Sequence, residues 1–201
     1  MVVLTARVLI HPFTRDQVAG LRAGDMVRVT GRVFTGRDRF HKHLAEGGRS
    51  PVDLKDGALY HCGPVVLRRE GAWVVRAAGP TTSTREEPYL PKIIREHGVR
   101  LIIGKGSLGA KTAAACAEFG CVYLHAVGGA AQVLAECIQA VPAVHLLREF
   151  GPTEAVWEFD VKDFPAVVAI DARGESLLAR VQAASRRALR RALRTDEPFL
   201  S

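Results

Sequence analysis

Three stretches of the 201-residue chain carry side chains suited to holding an anion. Residues 79–85 read G-P-T-T-S-T-R. A strand ending in Ala77-Ala78 would be turned sharply by Gly79-Pro80. Thr81, Thr82 and Ser83 would then open a helix, where free backbone N–H groups and the positive dipole end point outward. Arg85 adds a planar fork that matches a carboxylate. The plain alternative is capping by Thr81 or Thr82, with Arg85 a solvated charge. Residues 103–106 read I-G-K-G and place Lys105 between a buried strand and a helix. Ligands of open α/β sheets gather at the carboxyl ends of strands, and flanking glycines let a ligand approach the backbone. The stretch is not a P-loop, because G-x-x-x-x-G-K-[ST] is absent. Its plain alternative is a surface lysine in a tight turn. Residues 35–43 read T-G-R-D-R-F-H-K-H, with Arg37, Asp38, His41 and Lys42 at a strand-to-helix turn. Arg37 could grip a carboxylate. His41 could act as a general acid or base, since its ordinary pKa lies near neutrality. A lone histidine in a basic helix is more often simply solvated.

Three cationic loops and a hydroxyl cluster imply a substrate with more than one carboxylate. No carboxylate dyad and no Ser-His-Asp set accompanies them, so the chain carries an incomplete catalytic set. His11, His61, His125 and His145 lie on or beside candidate strands without a placed partner. Cys62, Cys116, Cys121 and Cys137 include no C-x-x-C pair, and no histidine pair stands at zinc-finger spacing. A metal site made by this chain alone is therefore not expected. Cys116 and Cys121 read as small buried apolar residues, reduced in the cytoplasm.

The elements that must position these groups change character along the chain. Leu4 to Ile10 reads as a strand ended by Pro12, and Thr14 as the N-cap of a short helix stopped at Gly24. Asp25 to Thr35 alternates apolar and charged residues, a strand with one wet face and a bulge at Gly31. A short helix to Gly47-Gly48 follows, then a polar loop over residues 49–57. Three short strands, A-L-Y-H-C-G-P, V-V-L-R-R and A-W-V-V-R-A-A-G-P, fill the rest of the front half. Beyond Pro80 a helix begins near Thr82, broken in its first half by Pro88 and Pro91 and ended by Gly98. V-R-L-I-I-G and C-V-Y-L-H-A-V read as strands alternating with helices, which argues for parallel pairing. A-V-H-L-L, V-W-E-F-D-V and A-V-V-A-I-D read as three further strands, and a helix starts at Ser176. The fold class is α/β, strand-rich in the N-terminal half and βα-alternating in the C-terminal half. Residues 1–182 form one domain, with an Arg-rich helix and tail over residues 183–201.

Bulk properties exclude several classes. Hydrophobic residues at 48% and charged residues at 24% fit an ordinary globular chain. No apolar run reaches the roughly 18 residues of a membrane span. The stretch M-V-V-L-T-A-R-V-L-I lacks a basic n-region and a small-residue cleavage site, so no signal peptide is expected. The formal charge is +7, and omitting Arg186, Arg187, Arg190, Arg191 and Arg194 leaves +2. The basic character is mostly one helix. A nucleic-acid-binding module is the reading from another class, and an aromatic content of 6% with no stacking set argues against it. A docking helix for an acidic partner is a further reading of Ser185–Arg194.

T-G-R-D-x-x-H-K, L-Y-H-C-G-P, A-G-P-T-T-S-x-R, I-I-G-K-G, C-V-Y-L-H-A-V-G-G-A-A and V-K-D-F-P-A-V-V occur in this order. Together they closely resemble the beta subunit of class I, iron–sulfur fumarate hydratases and the similar L(+)-tartrate dehydratases, from about Leu4 to about Leu178. The resemblance implies a swivelling β/β/α domain and a subunit of a hydro-lyase that interconverts fumarate and (S)-malate, inactive alone. Tartrate dehydration is the runner-up. It implies an alpha-chain partner holding a [4Fe-4S] cluster through three cysteines, and a heterotetramer of two alpha and two beta chains. It implies that Thr81 works with an alpha-chain aspartate in proton transfer at the substrate carbon, that Arg85 and Lys105 contact substrate carboxylates, and that Arg37 also reaches the substrate. Two departures stand out. Glu86 replaces the methionine common after Arg85, and would oppose a dicarboxylate if it points inward. Ser107-Leu108 replaces a common Gly-Met, a change that keeps the volume of the second residue.

Overall fold

In the computed structural model, residues 6–193 are described. The front half runs β1 (Arg7–Ile10), α1 (Arg15–Ala19), β2 (Met26–Thr35), α2 (Asp38–Ala45), β3 (Ala58–Tyr60), β4 (Val65–Arg69) and β5 (Ala72–Ala77). After a 3-10 turn at Ser83–Glu86 come α3 (Leu90–His97), β6 (Leu101–Gly104), α4 (Ala110–Phe119), β7 (Val122–His125) and α5 (Ala131–Glu136). The chain continues through β8 (Ile138–His145), α6 (Leu147–Phe150), β9 (Val156–Ile170) and α7 (Leu177–Leu193). The expected strand start at Leu4, the arginine at 194 and the final T-D-E-P-F-L-S lie outside the described residues.

Seven strands form one sheet in the order β1-β2-β3-β6-β7-β9-β8, and β2 also pairs with β9. That extra pairing curls the sheet into a partial barrel. β2, β3, β6 and β7 run parallel; for β6 and β7 the alternation of strand and helix implied it. The last strands differ from expectation. V-W-E-F-D-V and A-V-V-A-I-D are one strand, β9, and it pairs antiparallel with β2, β7 and β8. Asp163 takes a left-handed φ of 53° in mid-strand, which lets the chain pass a region that reads as a break. No crossover helix separates β8 from β9; only the four-residue α6 does, so the two return on each other as a hairpin. β4 and β5 form a separate two-stranded ribbon.

The central strands are buried on both faces, and their side chains alternate between two cores. Ala58, Tyr60, Leu101, Ile103, Val122 and Leu124 point inside the barrel with Trp157, Phe159 and Phe164. Leu59, Ile102 and Tyr123 point to the other face, against Phe40 and Leu44 of α2 and Ile93 and Ile94 of α3. This period-two split explains why L-I-I reads as a continuous apolar run. The bulge at Gly31 is present: the β2–β9 register shifts between Val29 and Gly31. Gly31 has φ 113°, and a Cβ there would lie 2.5 Å from that of His11. Thr14 caps α1, accepting from Gln17 N–H at 3.3 Å, but the helix ends at Gly20 rather than Gly24. Gly98 closes α3 in the left-handed conformation, as read from sequence.

Candidate active site

The three loops named from sequence meet at the carboxyl ends of the parallel strands. Arg37 follows β2 by two residues, His61 and Cys62 follow β3, Lys105 follows β6, and His125 ends β7. β3 and β6 pair as far as Tyr60 and Ile103. Beyond that point residues 80–83 lie between the two strand ends. Thr81 N–H donates to His61 O at 2.7 Å, Lys105 N–H donates to Thr81 O at 3.2 Å, and Ser83 N–H donates to Lys105 O at 2.8 Å. This main-chain splice fixes Thr81 beside Lys105. It also corrects the expectation of a helix from Thr82: the segment is extended, then makes the 3-10 turn, and Thr82 makes no side-chain cap. The ladder bonds and Pro88 leave no room for a regular helix before α3.

Close packing makes two glycines necessary. A Cβ on Gly104 would stand 2.0 Å from Ser83 Oγ and 3.0 Å from His61 Nδ1. A Cβ on Gly63 would stand 2.6 Å from Arg37 Nη1 and 2.7 Å from Thr153 O. In the I-G-K-G turn, Gly106 adopts φ 79° and its N–H donates to His125 Nε2 at 2.9 Å. His125 is therefore the Nδ1–H tautomer, a role that sequence alone did not give it.

The arginines converge on Asp38. Arg85 Nε is 2.9 Å from Asp38 Oδ1, and Arg37 Nη2 is 3.8 Å from Asp38 Oδ2. Arg37 also reaches Glu154 Oε1 at 3.4 Å and donates to Thr153 O at 3.4 Å. Arg85 is half-exposed. Lys105 has no ion-pair partner among the described residues. Arg37, Arg85 and Lys105 thus outnumber Asp38 and Glu154 by one charge. Lys42, named with them from sequence, lies on the exposed side of α2 and pairs with Glu46 at 3.8 Å.

Beneath these cations lies a buried polar layer that sequence reasoning missed. His41, His61, Ser83 and Glu86 are fully buried. His41 is not solvated: Nδ1–H donates to Arg37 O at 2.8 Å, and burial pulls its pKa down to about 4. With its one N–H held by Arg37 O and its ring neutral at neutral pH, His41 is not a proton donor there. Burial likewise holds His61 well below the ordinary histidine range. His61 Nδ1 meets Ser83 Oγ at 2.8 Å, Ser83 Oγ meets Tyr123 Oη at 3.1 Å, and Tyr123 O–H donates to Gly106 O at 2.9 Å. One direction satisfies every member: His61 donates to Ser83, Ser83 to Tyr123, and Tyr123 to Gly106. The signal in the sequence was the spacing of Phe40, His41 and Leu44 on one helix face.

Six buried side-chain N or O atoms lack a hydrogen-bond partner among the described residues: Arg37 Nε, His41 Nε2, His61 Nε2, Thr81 Oγ1 and both oxygens of Glu86. Buried polar groups are ordinarily paired. That all six gather at one end of one sheet marks this region as built for something other than stability. Glu86 does point inward, toward His41, and burial followed by the Asp38 charge pushes its pKa up to about 8. Glu87 points elsewhere and caps α4, accepting from Gly109 N–H at 2.7 Å and the Thr112 hydroxyl at 2.7 Å.

The cysteines do not fit a metal cluster. Cys62 is buried in the barrel core while Cys116 and Cys121 lie side by side in the other core, and burial pushes the Cys62 thiol up to about 12. Among the described residues no group of three metal-ligating side chains converges, and no helix is long and apolar enough to cross a membrane. A groove of about 820 Å³ lies away from this site by His11 and Asp56, and its Arg32 is already paired with Glu158 and Asp160.

Comparison with known proteins agrees with the sequence motifs. Residues 4–181 match the family described as fumarase C-terminus. The chain is 51% identical over 175 residues to a Geobacillus stearothermophilus protein provisionally named a class I fumarate hydratase, covering 87% of this chain and 34% of that one. It spans about a third of that relative's length. It is 36% identical to a Methanocaldococcus jannaschii protein provisionally named an L(+)-tartrate dehydratase beta subunit, covering 85% of this chain and 90% of the other. It is 34% identical to the L(+)-tartrate dehydratase beta subunit of Escherichia coli K12, covering 86% and 87%. Nothing in these matches supports a nucleic-acid-binding module.

Proposed function

The chain belongs to the fumarase C-terminus family, and on that premise we propose that it is the beta subunit of a hydro-lyase that reversibly hydrates fumarate to (S)-malate. Arg37, Arg85 and Lys105 hold the two carboxylates, because a dicarboxylate needs cations at both ends. Fixed positive groups also stabilise the charge that builds on a carboxylate when the neighbouring C–H bond breaks. Thr81 moves a proton at that carbon, and its unpartnered hydroxyl, locked beside Lys105 by the backbone, supports the assignment. The remaining machinery comes from an alpha partner carrying a [4Fe-4S] cluster, which supplies Lewis-acid chemistry at the substrate hydroxyl. The β/β/α fold is read as the swivelling domain that closes over that partner, in a heterotetramer within the cytoplasm.

The observation that carries this reading is the gathering of unpartnered polar atoms and surplus positive charge at the carboxyl ends of β2, β3 and β6. A half-pocket explains both. Tartrate dehydration is the second reading, favoured by the near full-length match to separate tartrate dehydratase beta subunits. The higher identity, 51%, favours fumarate.

The test combines the purified chain with its candidate alpha partner under anaerobic conditions and assays fumarate and L(+)-tartrate side by side. The expected result is no turnover by this chain alone and turnover by the pair, faster with fumarate. Turnover by this chain alone, without iron, overturns the proposal.

A further inference from the structure

Glu86 occupies a place where a carboxylate anion has no support. Its side chain is fully buried on the 3-10 turn, one residue after Arg85. From α2 it faces His41, whose Nδ1 lies 3.6 Å from Oε2, and Asp38; from the segment before β9 it faces Glu154. His61 packs behind His41, with ring centroids 4.8 Å apart. The one N–H of His41 is committed to Arg37 O, so it has no proton to give Glu86. Neither Glu86 oxygen accepts a hydrogen bond, whereas a protonated Glu86 has Asp38 to donate to. An anion here would be buried without a donor and flanked by two further carboxylates, with Arg85 alone in its favour.

We propose that Glu86 is a positioning residue: a neutral carboxylic acid at neutral pH that wedges α2 against the Thr81–Arg85 segment and leaves Arg37 and Arg85 their positive field for a doubly charged substrate. The inference rests on the dicarboxylate reading above and goes beyond it. Glu86 abuts His41, which holds the Arg37 carbonyl, while its main-chain neighbour Arg85 takes Asp38. With Glu86 neutral, the three cations exceed Asp38 and Glu154 by one. With Glu86 ionised, that excess is gone. This position is neutral by virtue of a proton, so its neutrality is lost in alkali. The upward direction of the Glu86 pKa, pushed up to about 8 by burial first, agrees with the geometry.

Two measurements decide it. First, the infrared difference spectrum of the full chain against Glu86→Gln reports the carboxyl directly. A protonated-acid carbonyl band at pH 7 that gives way to a carboxylate band by about pH 10 is expected; a carboxylate band at pH 7 overturns the proposal. Second, KM for the dicarboxylate is followed from pH 7 to 9.5 in the chain reconstituted with its alpha partner. The wild-type KM should rise about tenfold, while Glu86→Gln and Glu86→Met remove that rise. A wild-type KM flat across this range, or the same rise in Glu86→Gln, overturns it. A pair that turns over no dicarboxylate at any pH overturns the reading of the site, and with it the proposed benefit to substrate binding. The infrared band then still decides whether Glu86 is neutral.

Discussion

The carboxyl of Glu86 lies 3.6 Å from Nδ1 of His41, with both side chains fully buried, yet the two are not an ion pair. Burial pulls His41 down to about 4 and pushes Glu86 up to about 8. Between those values both are neutral. Ionising either alone would bury a single charge; ionising both would put the added proton on Nε2, because Nδ1–H already serves Arg37 O. The pair is thus a neutral contact that joins two cation-bearing segments, α2 and the turn at Ser83–Glu86.

The pH dependence of stability follows from those directions. Glu86 has a raised folded pKa, so its contribution is fullest below the ordinary value of 4.5 and is lost as pH rises toward about 8. His41 and His61 have lowered pKa values, so theirs is present above 6.5 and is lost as pH falls. Stability should peak near neutrality. Glu86→Met should flatten the alkaline limb, recovering up to a few kcal/mol at pH 9, and steepen the acid limb between 4.5 and 6.5, where Glu86 and the histidines pull in opposite directions. Urea melts of both proteins at pH 5, 7 and 9 check this, and an unchanged alkaline limb in Glu86→Met contradicts it.

Asp38 touches both arginines, so it sets where their forks point. Asp38→Asn should raise KM for the dicarboxylate about five- to tenfold, by releasing Arg85. It should cost less than about 1 kcal/mol of stability, since the pair is half-exposed. It should also move the alkaline rise in KM to lower pH, because the Asp38 charge is one cause of the raised Glu86 value. A KM-against-pH series on the reconstituted pair checks both effects.

Much of this site was legible because its residues stand next to chain punctuation. Gly36 and the glycines around Lys105 mark where parallel strands stop, at the same end of the sheet, and Gly79-Pro80 turns the chain out of the β4–β5 ribbon. What was not legible depends on burial. The lysines and arginines around His41 and Glu86 suggest a wet surface, and that charge outweighs the one-face spacing by which Phe40 and Leu44 carry His41 inward with them. The antiparallel β9 was missed for a similar reason. Asp163 and Pro165 look like a turn, and the long-range partner that keeps the strand going, β2, begins more than a hundred residues earlier.

The contact between Gly104 and Ser83 gives a stability prediction with an internal control. Gly104→Ala would drive its methyl into Ser83 Oγ, and should cost roughly 1–3 kcal/mol by overpacking. Ser83→Ala alone should cost about 1–2 kcal/mol, through the broken chain from His61 to Tyr123. The double variant should cost clearly less than the sum, because removing Oγ makes space. Relief should be incomplete, since His61 Nδ1 still lies 3.0 Å from the new Cβ. Denaturant melts of the four proteins give the coupling energy, and strict additivity contradicts the model of a shared contact.

No residue of α7 is buried, and Val181, Leu189 and Leu193 are exposed. Removing residues 183–201 should therefore change the unfolding free energy of the isolated chain by less than about 0.5 kcal/mol. A larger loss in a urea melt would show that the segment packs on the domain. If instead the truncated chain keeps its stability and binds the alpha partner more weakly, the helix is a docking element rather than a solvated face.

Thr81 separates chemistry from stability most cleanly. Its Oγ1 is buried without a partner, while its backbone carries two ladder bonds, to His61 and Lys105. Thr81→Val keeps the branched shape and the backbone bonds and removes only the hydroxyl. Stability should hold or rise slightly, because a buried unpaired polar atom is replaced by a methyl. If the hydroxyl moves a proton, kcat of the reconstituted pair should fall about 100- to 10,000-fold with KM little changed. Thr81→Ser should retain most of the rate. A fall in KM affinity without a fall in kcat would instead make Thr81 a binding group, and equal losses in Thr81→Val and Thr81→Ser would trace the effect to packing of the methyl.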